Sequence, residues 1–189
     1  MCGRYYIEIS DKELQEICDI LMEREKESRE QLKIKLFGEI FPTDIVPVQT
    51  GVGQYKAMKW GFAGFAGRPI INARSETALE KPAFRSSMLE RRCLIPASGY
   101  YEWKSEGNKK VKHKFYIPGE PIYFAGCYKQ EKNSGPLNFV ILTRPAAGKM
   151  KDIHDRMPVI IPERHVKDWL QSGADAMEQA IAELDFEAV

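Results

Sequence analysis

A cysteine stands at the second position, in Met1-Cys2-Gly3-Arg4. Initiator methionine is generally removed when a small residue follows it. Removal leaves Cys2 with a free α-amine and a thiol on adjacent carbons. Such an aminothiol reacts with an aldehyde in two steps: the amine forms a Schiff base, and the thiol then closes on the imine carbon to give a five-membered thiazolidine. Closure is intramolecular and benefits from a high effective concentration. The amine is also a better starting nucleophile than a lysine. Its ordinary pKa of about 7.7–8.0, against about 10.4, leaves a neutral population roughly a few hundredfold larger near neutral pH. Equally, Cys2 is the residue that happens to follow the start, and position alone does not separate the two readings.

Three further segments carry residues suited to chemistry. Asn72-Ala73-Arg74-Ser75-Glu76-Thr77 reads as the polar opening of a helix, where an anion is attracted and Arg74 adds positive charge; ordinary capping explains it as well. Glu102 lies among aromatics in Tyr100-Tyr101-Glu102-Trp103, a setting for an acid or base of raised pKa, or else a surface carboxylate. His154, in Ile153-His154-Asp155-Arg156-Met157-Pro158, has the side chain best placed for proton transfer near neutral pH, or is a structural histidine. His113 and His165 lie in charged segments expected to be exposed, and neither is given a role.

These residues need elements to hold them. A first helix is expected with Ser10 as cap, Glu13 completing a capping box, and Leu14, Ile17, Cys18, Leu21 and Met22 on one face. Charged residues from Glu23 to Glu30 continue it. Residues 36–60 read as extended, followed by a glycine-rich loop over 61–70 that lacks phosphate-loop spacing. A second helix is expected over about Ser75–Glu90. Strands follow at Cys93–Ile95, Tyr100–Lys104, Val111–Ile117, Ile122–Gly126, Asn138–Leu142 and Pro158–Ile161, then helices at Pro162–Leu170 and Asp175–Leu184. Close-spaced strands with helices clustered at the start, middle and end give an α+β fold: a mainly antiparallel curved sheet or open β-barrel with peripheral helices. The chain of 189 residues is expected to form one domain.

Composition narrows the class. A net charge of +1, with 43% apolar and 29% charged residues, is that of an ordinary soluble domain and excludes a globally basic protein, though not a local basic groove. Acidic residues near the C-terminus (Asp175, Glu178, Glu183, Asp185, Glu187) offset basic ones elsewhere. The run Lys109-Lys110-Val111-Lys112-His113-Lys114 is read as an exposed edge strand guarded by lysines, or else a nucleic-acid contact. No apolar run approaches a membrane span and no signal peptide is evident, so a cytoplasmic setting is the default. Cys2, Cys18, Cys93 and Cys127 are spaced for neither zinc nor disulfides, and Cys18 and Cys127 are read as buried small hydrophobes.

Taken together, these segments resemble the SRAP family (SOS-response-associated peptidases, or abasic-site processing proteins). The matching pieces are Met1–Arg4, Trp60-Gly61, Asn72–Thr77, Arg92-Cys93-Leu94-Ile95-Pro96, Gly99–Trp103, Phe124-Ala125-Gly126 and Ile153–Pro158. They occur in the family's order, and it is their joint occurrence with Cys2 that is specific. The resemblance implies a protein that crosslinks covalently to abasic sites in single-stranded DNA. Cys2 matches the nucleophile, Asn72 the asparagine that holds it, and Glu102 and His154 the active-site acid–base residues. Arg4, Arg74 and Arg156 match positions lining the DNA groove, and Trp60 an aromatic near the DNA path.

In the implied mechanism, His154 protonates the sugar ring oxygen, Glu102 takes a proton from the Cys2 ammonium, and Asn72 orients Cys2. Neither metal nor organic cofactor is needed. The expected partner is single-stranded DNA containing abasic sites, with no membrane, and the protein is expected to be a monomer. Lyase and cysteine-type autopeptidase activities belong to the same implication. Two segments depart from the family pattern: the shortened Phe62-Ala63-Gly64-Phe65-Ala66-Gly67 loop, where Phe62 or Phe65 replaces a second Trp, and Thr143-Arg144-Pro145-Ala146-Ala147, which lacks the usual Asn. Two rivals are a cysteine peptidase built on Cys2, His154 and Asn72, and a non-covalent single-strand-binding module using Trp60, Phe62 and the arginines.

Overall fold

Ile122–Cys127 is apolar at every position except Gly126, and all six residues are buried. A strand covered on one face would alternate; a continuous apolar run needs cover on both. The computed structural model describes residues 2–8, 10–25, 32–131 and 135–189, and it provides that cover by closing the strands into a barrel with helices outside. In chain order the elements are β1 (Tyr5–Ile7), α1 (Lys12–Glu25), β2 (Gly38–Ile40), β3 (Ile45–Gly51), β4 (Gln54–Trp60), β5 (Asn72–Arg74), α2 (Pro82–Glu90), β6 (Arg92–Ala97), β7 (Gly99–Glu106), β8 (Lys109–Tyr116), β9 (Ile122–Lys129), β10 (Leu137–Pro145), β11 (Arg156–Pro158), β12 (Ile160–Ile161), α3 (Val166–Gln171), α4 (Ala174–Glu178) and β13 (Asp185–Ala188).

Strands β10, β4, β3, β6 and β9 pair in a ring that returns to β10. Its pairings are antiparallel except β10 with β4. One core cluster includes Val48, Met58, Trp60, Ile95, Phe124, Phe139 and Ile141; a second, including Leu94, Val140, Leu142 and Trp169, packs against Phe84 of α2 and Val166 of α3. A second, wholly antiparallel sheet runs β13-β8-β7-β1-β2. Strands β6 and β7 are separated only by Ser98, where the chain passes from barrel to second sheet. Gly99 is required there: a Cβ would lie 2.2 Å from the Phe115 carbonyl oxygen and 2.3 Å from the Tyr6 hydroxyl. The α+β expectation holds, with the barrel closed.

Several local expectations are corrected. The Leu14 N–H bonds Asp11 Oδ1 (3.2 Å), so Asp11 and not Ser10 caps α1. Met22 is 40% exposed, off the buried face, and residues 26–30 of the expected charged extension lie outside the described residues. Asn72–Arg74 is a strand, and the second helix starts only at Pro82, whose fixed φ suits the first helical position. The lysine-rich β8 is an edge only in its first half: β13 pairs with His113–Tyr116, and exposed Lys109 and Lys110 lie beyond it. His113 on β8 is 8% exposed, its Nδ1–H donating to the Val111 carbonyl (3.0 Å).

Strand β10 belongs to two neighbourhoods. Its first part pairs with β4 and β9 within the barrel; from Ile141 it pairs with β5 on one side, and from Thr143 with β11 on the other. Thr143 is thus paired with Arg74 across one edge and Pro158 across the other.

Candidate functional site

Cys2 precedes β1 and has no exposed surface; it belongs to the core cluster that contains Tyr5, Trp60 and Tyr100. Its thiol donates to the Arg4 carbonyl at 4.0 Å. Burial, and secondarily the negative charge of Glu102, push the thiol's pKa well above its ordinary value. Cys2 is therefore a thiol here, not a thiolate. A nucleophilic cysteine activated as a thiolate–imidazolium pair needs the opposite setting.

Asn72 opens β5, and its Nδ2 donates to the Cys2 carbonyl at 2.9 Å. Its Oδ1 is buried and has no hydrogen-bond partner among the described residues. A buried amide oxygen left in that condition is costly unless a ligand donor supplies the bond. Trp60 lies behind Asn72: its Nε1–H bonds the carbonyl of Ile71 (3.0 Å), and its ring stacks on Phe139 and tilts against Tyr5. The ring is fully buried, so Trp60 offers no face for a base to stack on and serves as support. Gly61 follows at φ +115°, where a Cβ would meet Pro69 at 2.8 Å, so the turn at the end of β4 requires glycine.

Glu102, in the middle of β7, is 4% exposed, and its charge acts on Cys2. His154 follows the 3₁₀ turn Gly148–Asp152. Tyr100, two residues before Glu102, pins this turn by donating its hydroxyl to Met150 Sδ (3.7 Å), and the His154 N–H bonds the Met150 carbonyl. Cys2, Asn72 and Glu102 are thus brought together, and His154 sits on a turn fastened to Glu102's strand.

The four expected DNA-side residues separate. Arg74 is exposed and, by strand alternation, on the same face of β5 as Asn72. Arg4 is half-buried, ion-paired to Glu39 (3.2 Å) and stacked over Phe41 and Trp103. Arg156 is 9% exposed and forked onto Glu76 (2.5 and 2.9 Å), so as it stands its guanidinium is not open to a phosphate. In the shortened loop, Phe62 is buried against Phe84 while Phe65 is 94% exposed. The sequence hardly signals Glu76 as the partner of Arg156: it is one carboxylate beside Arg74 in the same polar run. Among the described residues, no group of three or more His, Cys, Asp or Glu is placed to hold a metal ion, and no helix is long and apolar enough to cross a membrane.

A family model described as SOS response associated peptidase (SRAP) matches residues 1–188. The abasic site processing protein YoaM of Bacillus subtilis is 45% identical over 109 residues, covering 55% of this chain and 48% of that protein. For YedK of Escherichia coli the identity is 36% over 129 residues, covering 64% and 58%. The chain spans about half the length of the curated relatives it matches. A crystal structure of a protein from Bordetella bronchiseptica superposes with a TM-score of 0.76 at 21% identity, covering 100% of this chain and 99% of that one. At that identity the likeness speaks for the fold.

Proposed function

Because the chain belongs to the SRAP family, we propose that it captures abasic sites in single-stranded DNA as a covalent thiazolidine on Cys2. The observation that carries this reading is the Cys2–Asn72–Glu102 cluster: a buried cysteine whose backbone is held by Asn72, with a buried carboxylate acting on it. Relatives named as abasic site processing proteins point to the substrate.

Removal of Met1 creates the α-amine. Opening the closed sugar breaks the C1′–O4′ bond. The electron pair goes to O4′, which gains a proton, while the C1′ hydroxyl loses one. His154 assists at the ring oxygen. Glu102 accepts a proton from the Cys2 ammonium, and the free amine adds to the aldehyde with loss of one water. The thiol then adds across the C=N bond: sulfur bonds carbon and its proton ends on nitrogen. The suppressed acidity of the thiol fits this order, in which the amine attacks first and the sulfur is needed only for closure. Asn72 Oδ1, buried and unpartnered, accepts a hydrogen bond from a sugar hydroxyl. Arg74 meets a flanking phosphate, and Phe65 is the loop aromatic able to stack on a base.

Denaturing gels after incubation with an abasic single-stranded oligonucleotide test the proposal. A heat-resistant shifted band is expected with the abasic strand and not with the intact one. Reversible binding without a band, or cleavage of peptide with no DNA adduct, would reject it.

A further inference from the structure

Arg156 is held by more contacts than a phosphate-binding arginine would need. Its Nη1 bonds Glu76 Oε1 (2.5 Å), and its Nη2 bonds Glu76 Oε2 (2.9 Å), the Thr143 carbonyl (2.6 Å) and Thr143 Oγ1 (3.3 Å). A planar guanidinium paired bidentately with a carboxylate is fixed in direction as well as in distance. Glu76 lies in the turn just after β5, Thr143 is on β10, and Arg156 opens β11. The fork therefore ties together three segments at the end of β10, and the Ser75 N–H, bonded to the same Thr143 carbonyl (2.9 Å), adds to the tie.

The consequence lies in the main chain of Arg156. Its N–H points at His154 Nδ1, 3.0 Å away. An N–H can bond that nitrogen only through a lone pair, so the ring in this arrangement carries its proton on Nε2. The Asp155 carboxylate is also 2.7 Å from Nδ1, but that contact is favourable only with a proton on Nδ1. The two contacts at one nitrogen exclude each other. Asp155 is 84% exposed and solvent weakens its pull, whereas the Arg156 N–H is held in place by the fork.

We infer that Glu76 is a positioning residue for His154: by clamping Arg156 it fixes the backbone N–H against Nδ1 and keeps the neutral imidazole in its Nε2–H form. Taken with the function proposed above, on which its catalytic meaning rests, His154 then acts on the sugar ring oxygen as a hydrogen-bond donor. It polarises the breaking C1′–O4′ bond and keeps its own proton; the proton that O4′ gains comes from solvent. A neutral histidine used as an electrophile in this way has precedent in enzyme chemistry.

Ring nitrogen resonances of His154, recorded by ¹⁵N NMR on the wild-type protein near neutral pH, test the tautomer directly. Nε2 protonated and Nδ1 bare is the expected result; Nδ1 protonated overturns the inference, whether or not the protein crosslinks DNA. Glu76→Gln should move the ring toward the Nδ1–H form. It should also slow crosslinking at saturating abasic DNA by roughly tenfold, the scale of a small misplacement near the reacting atoms, while leaving equilibrium binding to a non-reactive abasic analogue unchanged. In a His154→Ala background the same substitution should have no further effect on rate. Equal slowing in both backgrounds would overturn the inference in favour of a general structural role. A wild-type protein with the expected tautomer but no crosslink would instead reject the proposed function and leave the clamp standing.

Discussion

Around Cys2 the neighbours are Tyr5, Trp60 and Tyr100, none with exposed surface, and the polar ties run to or from main-chain carbonyls. Around His154 the Arg156 N–H meets Nδ1, and the charged Arg156–Glu76 fork stands one step behind it. The nucleophile's corner is organised by burial and the histidine's corner by a charge network. Burial holds the Cys2 sulfur as a neutral thiol, and the fork fixes the orientation of a proton-bearing ring. Changes in the first corner should be felt as loss of adduct or of stability; changes in the second should be felt as altered rate or pH response.

The largest effect belongs to Cys2. With Cys2→Ala, the heat-stable adduct should disappear, leaving only a Schiff base trappable by reduction. Cys2→Ser should form at most a less durable ring, because oxygen closes it poorly. Denaturing gels after heating read the difference. A stable adduct on Cys2→Ala, lost instead in Cys18, Cys93 or Cys127 variants, would mean that the nucleophile lies elsewhere.

Trp60→Ala should come next. It empties the space between Tyr5 and Phe139 and removes the bond to the Ile71 carbonyl. About 3–5 kcal/mol of stability should be lost, by the usual cost of truncating a buried aromatic, as read by denaturant unfolding. A loss of DNA affinity with stability unchanged would show that the ring meets DNA after all.

In the charged corner the expected signature is acid lability. The Arg156 fork holds the Glu76 carboxyl down to about 2 from an ordinary 4.5. A carboxylate whose pKa is depressed in the folded state contributes stability that is fully present above its unfolded value and lost as pH falls through the folded one. Thermal midpoints should therefore drop between about pH 4.5 and 2 more steeply in the wild type than in Glu76→Gln. The difference will be modest, since Glu76 is 42% exposed. Parallel pH curves for the two proteins would show that the fork contributes nothing in solution.

The smallest effect separates two arginines from matching motifs. Arg74→Ala should weaken single-strand binding a few-fold and flatten the salt dependence by about 0.7 in log–log slope, the share of one phosphate contact. Arg156→Gln removes the charge and the fork together, and should leave the slope unchanged while slowing crosslinking. A flattened slope for Arg156→Gln alone would reverse the assignment.

The barrel strands are legible in the sequence because doubly covered strands read as continuous apolar runs; Ile122–Gly126 and Asn138–Leu142 both lie inside observed strands. The strand character of β5 is not legible. Three residues carry no period of their own, and Asn72–Arg74 is extended because β10 offers a free edge beside them. Strand β13 escapes the sequence pattern for the same reason, since its four residues are all exposed and owe their conformation to pairing with β8. Of the site, the types of Cys2, Asn72, Glu102 and His154 are readable from their segments. The burial of Trp60 and the pairing of Arg156 with Glu76, eighty positions away, depend on tertiary contacts that no local pattern records.

Intact mass of the protein after incubation with an abasic single-stranded oligonucleotide and heating tests the central claim most directly. The account predicts one species equal to the chain without Met1 plus the oligonucleotide minus one water, with fragmentation placing the bond on Cys2. A stable adduct on protein that still carries Met1, or a bond mapped to a lysine or another cysteine, would contradict it.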